Sequence, residues 1–361
     1  MNGTEQLARV GQSVWLDNIT RDMLANGNLA RYIAELSVTG LTSNPSIYDK
    51  AIGGSAAYDQ EISRLSAAGS DGESIFFELA LEDLRRAADM FLPIHRQTNG
   101  VDGFVSLEVS PLLANEAGAT ISAAKRLHAL GGRPNLFIKI PGTTAGLEAI
   151  EATIFAGVPV NVTLLFSTEQ YLAAADAYTR GIERRVEAGL DPYVASVASV
   201  FVSRWDGPLA GELPPDLHLK LGIATGRRTF AAYRALLESD RWQRLLNLGA
   251  RPQRLLWAST GTKDKTASDV LYVEALAAPL TVNTMPDETL HAFADHGTVG
   301  ATLAAGPDPQ NDALVARFEA AGIDVAGLGL RLQEQGVASF ATAWQSLLAR
   351  IQEKAAAIAA G

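Results

Sequence analysis

The chain has 361 residues, 47% of them hydrophobic and 19% charged, with a net charge of −10 and a pI near 5.1. That balance suits a folded protein with a sizeable core, excludes global disorder, and argues against nucleic acid and anionic membranes, whose phosphates would repel it. The absence of cysteine excludes disulfides, thiolate nucleophiles and Cys-ligated metals, and fits a reducing compartment.

The opening stretch MNGTEQLARVGQSVW lacks the apolar core of a signal peptide. No later run approaches the roughly 20 apolar residues of a membrane helix, so a cytoplasmic location is expected. Short β-rich runs then alternate with longer helical ones. Strands are predicted at 13–17, 37–42, 103–109, 135–140, 158–163, 195–202, 254–259 and 279–283. Eight such strands, each followed by a crossover helix, make the expected fold an α/β (β/α)8 TIM barrel with additional C-terminal helices.

Helix starts are marked locally. Asn44 before Pro45 reads as an N-cap with proline at the first helical position, Thr143 or Thr144 caps a helix over 145–156, and Ser167 with Gln170 forms a capping box for 168–188. A long helical region is predicted at 55–91, a Pro/Gly-rich surface loop at 206–216, and two helical stretches at 309–335 and 338–359 that pack across the barrel. With no internal repeat or second-domain linker, 1–361 is expected to form a single domain, with 309–361 as its helical extension.

Strands buried on both faces are almost wholly apolar, so polar residues near their C-terminal ends call for an explanation. Asp17, Asn44, Glu108, Lys139, Asn161, Thr163, Ser199 and Ser259 all sit there. The carboxyl ends of barrel strands are where catalytic groups converge. Each residue also has a plain structural reading. Asn44 can cap a helix, Asp17 can cap the one starting near Thr20, Thr163 can bond to a carbonyl, Ser199 can fill a gap, and Glu108 can pair with Lys139 as a structural ion pair.

Of seven lysines, only Lys139 is bracketed by Phe137, Ile138 and Ile140. Desolvation disfavours a charged ammonium, so a lysine held there is poised to present a free amine to a carbonyl. Arginine could not do this, because it keeps its proton. None of the five histidines falls on a strand end, which argues against a Ser-His-Asp relay or a histidine-bound zinc. A magnesium site from Asp17, Glu108 and Asn161, with Lys139 as base, stays open. No glycine-rich nucleotide loop follows a strand. Arg204 and the segment 259–263, with Gly261 and Lys263, form a candidate phosphate site at the barrel mouth; the alternative is a turn with a solvated lysine.

Six segments in order, WLDNITR (15–21), GLTSNPSIYDKAI (40–52), VSLEVSP (105–111), FIKIPGT (137–143), VNVTLLFS (160–167) and SVFVSRWD (199–206), resemble those of the transaldolases. The resemblance implies a class I (β/α)8 barrel without metal or organic cofactor, acting on sugar-phosphate substrates in the pentose phosphate pathway. It implies Lys139 as the Schiff-base lysine and Asp17 as the acid/base for the C4 hydroxyl. Glu108 and Thr163 would hold a proton-shuttling water, and Asn44 and Asn161 would bond the dihydroxyacetone unit. Ser199, Arg204 and Ser259 would contact substrate or phosphate, and Phe201 would line the pocket. Where many transaldolases carry an arginine after the seventh strand, this chain reads TGTKD, so Lys263 takes that place as a point charge. The alternatives are a fructose 6-phosphate aldolase and a catalytically silent sugar-phosphate-binding protein. Homodimer and monomer are both left open.

Overall fold

The computed structural model describes residues 1–209 and 213–360. Its eight strands are β1 (Ser13–Leu16), β2 (Val38–Leu41), β3 (Val105–Glu108), β4 (Leu136–Pro141), β5 (Val160–Leu165), β6 (Ser196–Phe201), β7 (Arg254–Ala258) and β8 (Val282–Met285). All paired neighbours are parallel, in the order β2-β1-β8-β7-β6-β5-β4-β3. The two ends of that sheet meet through backbone bonds from Leu41 N to Phe104 O and from Gly103 N to Thr39 O, each 3.0 Å. The result is a (β/α)8 barrel with additional C-terminal helices.

The lumen is filled by alternate residues of each strand, because side chains on a strand point to opposite faces. Trp15 of β1 reaches Phe137 of β4 across the interior at 6.2 Å between ring centroids, and Phe137 stacks on Phe104 at 4.1 Å. Moving two residues along the same faces replaces these rings with polar groups: Trp15 leads to Asp17, Phe137 to Lys139, and Phe104 through Ser106 to Glu108. The lumen therefore changes from apolar at its N-terminal end to polar at its C-terminal end. At the apolar end a buried carboxylate, Asp102, accepts hydrogen bonds from Ser13 Oγ, from Trp15 Nε1 at 2.7 Å and from Thr39 Oγ1 at 2.9 Å, tying β1, β2 and the approach to β3 together.

The expected caps form. Asn44 Oδ1 accepts from Ile47 N ahead of the helix Pro45–Gly54, Thr143 caps Thr144–Phe155, and Ser167 with Gln170 closes a capping box on Thr168–Glu187. Several boundaries differ from expectation. The last strand starts at Val282 rather than 279, since Leu280 holds a left-handed φ of 62° and its N–H bonds to Gly11 O, which delays entry into the sheet. The helical region at 55–91 is divided into Asp59–Ala67 and Gly72–Gln97, with Gly69 at φ 82° between them and Asp71 capping the second. A helix Gly3–Arg9, with a capping box from Asn2 and Glu5, precedes β1. In the predicted loop 206–216, short 3-10 turns occupy Gly207–Leu209 and Pro215–Leu217, while 210–212 lie outside the described residues.

The largest difference is at the C-terminus, where the helices are Pro309–Ala320 and Val325–Ala360, not 309–335 and 338–359. Gly336, in the gap between the two expected stretches, lies inside the second helix. A Cβ there would meet Leu164 Cδ2 at 2.9 Å, so the glycine serves close approach of the helix to the strand end rather than termination. The buried positions Leu328, Leu332, Gly336, Phe340, Trp344, Leu347 and Ile351 repeat every three or four residues and so share one face. Its far half packs Trp344 edge-on against Phe76 at 5.0 Å, and Lys354 Nζ bonds to Ser55 O at 2.7 Å. Its near half crosses the polar mouth of the barrel.

No helix among the described residues is long and apolar enough to cross a membrane.

Candidate active site

Parallel register sets one row of the site. Glu108 pairs with Lys139 and Lys139 with Asn161, so three polar side chains of β3, β4 and β5 stand level on the lumen wall. Lys139 and Glu108 are both buried, at 5% relative exposure each. Lys139 Nζ lies 3.4 Å from Glu108 Oε2 and donates a hydrogen bond to Ser43 O at 3.2 Å. Burial pushes the Glu108 carboxyl up to about 7, against the opposing pull of Lys139 and with a further push from the Asp17 charge. The same geometry fits both readings of the pair, a structural ion pair and an amine with a proton acceptor beside it. Among the described residues Glu108 Oε2 and Thr163 Oγ1 are buried without a hydrogen-bond partner, so Thr163 does not bond back to a carbonyl.

Asp17 follows β1 and is half-buried. It does not cap the helix Arg21–Ala25, which Thr20 caps through Met23 N. Instead Asp17 Oδ1 accepts from Thr42 Oγ1 at 2.7 Å, and Thr42 lies 2.7 Å from Thr284 Oγ1, a chain that fixes the carboxylate at the lumen edge. Desolvation raises the Asp17 carboxyl above the ordinary range; the Lys139 charge and the Thr42 bond oppose that, and Asp287 adds to it. Asn44 both caps its helix and lines the same cavity.

Asn161 is fully buried, donating to Ser106 Oγ at 3.1 Å and accepting from Ser199 Oγ at 2.7 Å. Ser199 is therefore a hydrogen-bonding partner and not a mere filler of space. Above this layer opens a cavity of about 200 Å³, walled by Asp17, Asn44, Lys139, Thr163, Ser199, Phe201, Arg204, Ser259 and Lys263 among others. Nine of the eleven singled-out residues face it, and Glu108 and Asn161 lie just beneath. A β-bulge helps to aim this wall: the β5–β6 register shifts between Val162 and Leu165, with Leu164 at φ 58°.

The outer rim is cationic. Arg204 and Lys263 are exposed, and neither forms an ion pair among the described residues. Ser259, at φ 55°, turns the chain sharply after β7 and places its Oγ 3.0 Å from Ser203 Oγ. A Cβ at Gly261 would meet Thr289 Oγ1 at 3.1 Å, with Lys263 Nζ in ordinary contact at 4.0 Å. Among the described residues no three His, Cys, Asp or Glu side chains are grouped to hold a metal.

Sequence reasoning missed Thr42, Thr284, Ser339 and Phe340, which also line the cavity. Thr42 and Thr284 had a signal, being polar residues at the ends of β2 and β8. Ser339 and Phe340 had none, since nothing in a helical segment two hundred residues from Lys139 marks it as the cover of that lysine.

A family model described as Transaldolase/Fructose-6-phosphate aldolase matches residues 14–351. The chain is 44% identical over 361 residues to a protein named Transaldolase from Thermobifida fusca, covering 98% of each chain. It is 44% identical over 362 residues to the Transaldolase of Frankia alni, covering 98% of this chain and 97% of that one. It is 43% identical over 359 residues to the Transaldolase of Thiobacillus denitrificans, covering 97% of this chain and all of that one, at 100%.

Proposed function

The chain belongs to the transaldolase/fructose-6-phosphate aldolase family, and from that premise we propose that it is a transaldolase that moves a dihydroxyacetone unit through an imine on Lys139. The donor is sedoheptulose 7-phosphate and the acceptor glyceraldehyde 3-phosphate, giving erythrose 4-phosphate and fructose 6-phosphate. One observation carries this reading: the Lys139 amine sits on the floor of a polar cavity, 3.4 Å from a carboxylate with raised proton affinity.

Lys139 adds to the C2 ketone and Glu108 is the adjacent group able to take the proton released. The carbinolamine then loses water. Glu108 Oε2 and Thr163 Oγ1, both with free hydrogen-bonding capacity, suit that water as it forms and leaves. The iminium acts as electron sink while Asp17, its carboxyl raised by desolvation, removes the C4 hydroxyl proton, and the C3–C4 bond breaks. The aldose phosphate departs and the three-carbon enamine stays bound for the acceptor. Asn44 faces the dihydroxyacetone unit, and Asn161 keeps one amide hydrogen beyond its bond to Ser106. Arg204, Lys263 and Ser259 at the rim suit the phosphate, and Phe201 walls the carbon chain. Imine chemistry of this kind needs no metal or organic cofactor. We further read the chain as one domain, because the helix Val325–Ala360 buries its apolar face on the barrel, and we expect the enzyme in the cytoplasm with its sugar phosphates.

The test is product analysis with fructose 6-phosphate. Transfer requires that dihydroxyacetone stay bound until an aldehyde arrives. Free dihydroxyacetone released at the transfer rate without acceptor would instead identify an aldolase, and binding without turnover would leave a sugar-phosphate receptor.

A further inference from the structure

The roof of the site comes from the helix Val325–Ala360, and its placement is over-determined. Gln333 Nε2 donates to Gly142 O at 3.0 Å and to Leu164 O at 2.9 Å, grasping the chain just past β4 and the bulge of β5 with one amide. One turn to either side are the glycines of closest approach: a Cβ at Gly329 would lie 3.0 Å from the Trp205 ring, and one at Gly336 2.9 Å from Leu164. Positions 329, 333, 336 and 340 share a face, so fixing the first three fixes where the fourth points. That fourth residue is Phe340. Its ring is buried, meets Phe201 at 6.5 Å, and stands with its face toward Lys139 Nζ, 5.6 Å from the ring centroid.

An aromatic face attracts a cation within about 6 Å of its centroid, and more strongly where water is excluded. Imine formation puts a positive charge on the Lys139 nitrogen: the amine adds to the ketone carbon, the carbinolamine hydroxyl leaves as water with the proton that Glu108 took from the amine, and the charge rests on the C=N nitrogen until C3–C4 cleavage draws it into the neutral enamine. Glu108 is the anionic partner of the free ammonium, yet it must give up that role whenever it holds a proton. A ring cannot be neutralised by protonation. We propose that Phe340 is a catalytic residue of the imine step, its π face stabilising the iminium on Lys139 while the C-terminal helix closes the barrel mouth above it.

The proposal rests on the imine reading given above, and the experiment separates the two. Fluorination withdraws charge from the face of a phenyl ring with little change in its volume, so Phe340 is replaced in the full-length protein by mono-, di- and trifluorophenylalanine, alongside Phe340→Tyr and Phe340→Leu. Borohydride trapping with fructose 6-phosphate, titrated in donor, gives the imine-forming equilibrium constant of each. The expected result is a steady fall with fluorine number, reaching about 5- to 30-fold for trifluorophenylalanine and for Phe340→Leu, with Phe340→Tyr within about 3-fold of the parent. A ring that only fills space would leave the fluorinated series flat. A flat series with normal trapping in the parent overturns the role of Phe340 alone, whereas no trapping in the parent overturns the imine reading and this proposal with it.

Discussion

Lys139 Nζ and Glu108 Oε2 lie 3.4 Å apart on neighbouring strands, in register and away from water. The pair is close enough for charge to matter and longer than a strong hydrogen bond. Burial holds the Glu108 carboxyl up to about 7.

The sign of the pH effect follows. Below about 7 Glu108 is protonated and cannot accept the amine proton, so kcat/KM should rise with pH through an apparent value near 7 that belongs to the coupled pair. Glu108→Gln should remove that limb and slow borohydride-detected imine formation by about 10²-fold or more. An unchanged limb in the variant would assign it to another group.

Asp17 is held by Thr42 and stands at the cavity edge rather than against the Lys139 nitrogen. Asp17→Ala should leave the Lys139 adduct detectable while carbon–carbon cleavage slows by about 10²–10⁴-fold, the range for loss of a general acid/base. Single-turnover kinetics distinguish the two steps, and unimpaired cleavage would remove Asp17 from the mechanism.

The rim cations are expected to act on binding. Arg204→Ala and Lys263→Ala should raise KM for phosphorylated sugars while leaving kinetics with unphosphorylated ones nearly unchanged. Arg204 should cost more, because its planar fork bonds two phosphate oxygens where lysine offers one point of charge. Equal effects on both substrate classes would reject a phosphate role.

Gln333 bridges two strand ends through two backbone carbonyls. Gln333→Ala should lower stability by about 1–3 kcal/mol in urea unfolding, since both acceptors lose their donor in a half-buried place. It should also weaken donor binding, because Phe340 is two turns further along the same helix. Stability loss with unaltered kinetics would show that the roof does not depend on this anchor.

Much of the site was legible because a parallel barrel makes its polar residues conspicuous. Lys139 between Phe137, Ile138 and Ile140, and Asn161 with Thr163 two residues on, break an apolar rule, and the alternation of strand side chains then puts them on one wall. Asn44 showed the limit of such reasoning, since its helix cap and its place on the cavity wall belong to one side chain. Three features were not legible. Asp102 takes its meaning from Ser13, Trp15 and Thr39, whose convergence is created by closure of the barrel. Gly336 is penalised in a helix by local propensity, and only the tertiary approach to Leu164 shows why it stands there. Phe340 looks like any other core aromatic of an amphipathic helix until the helix is laid across Lys139.

The most direct measurement is peptide mass spectrometry after borohydride reduction of the enzyme with fructose 6-phosphate. A dihydroxyacetone- or hexose phosphate-derived adduct confined to the peptide bearing Lys139, and absent together with turnover in Lys139→Ala, is the predicted result. An adduct on a different lysine, or transfer activity that persists in Lys139→Ala, would contradict the account.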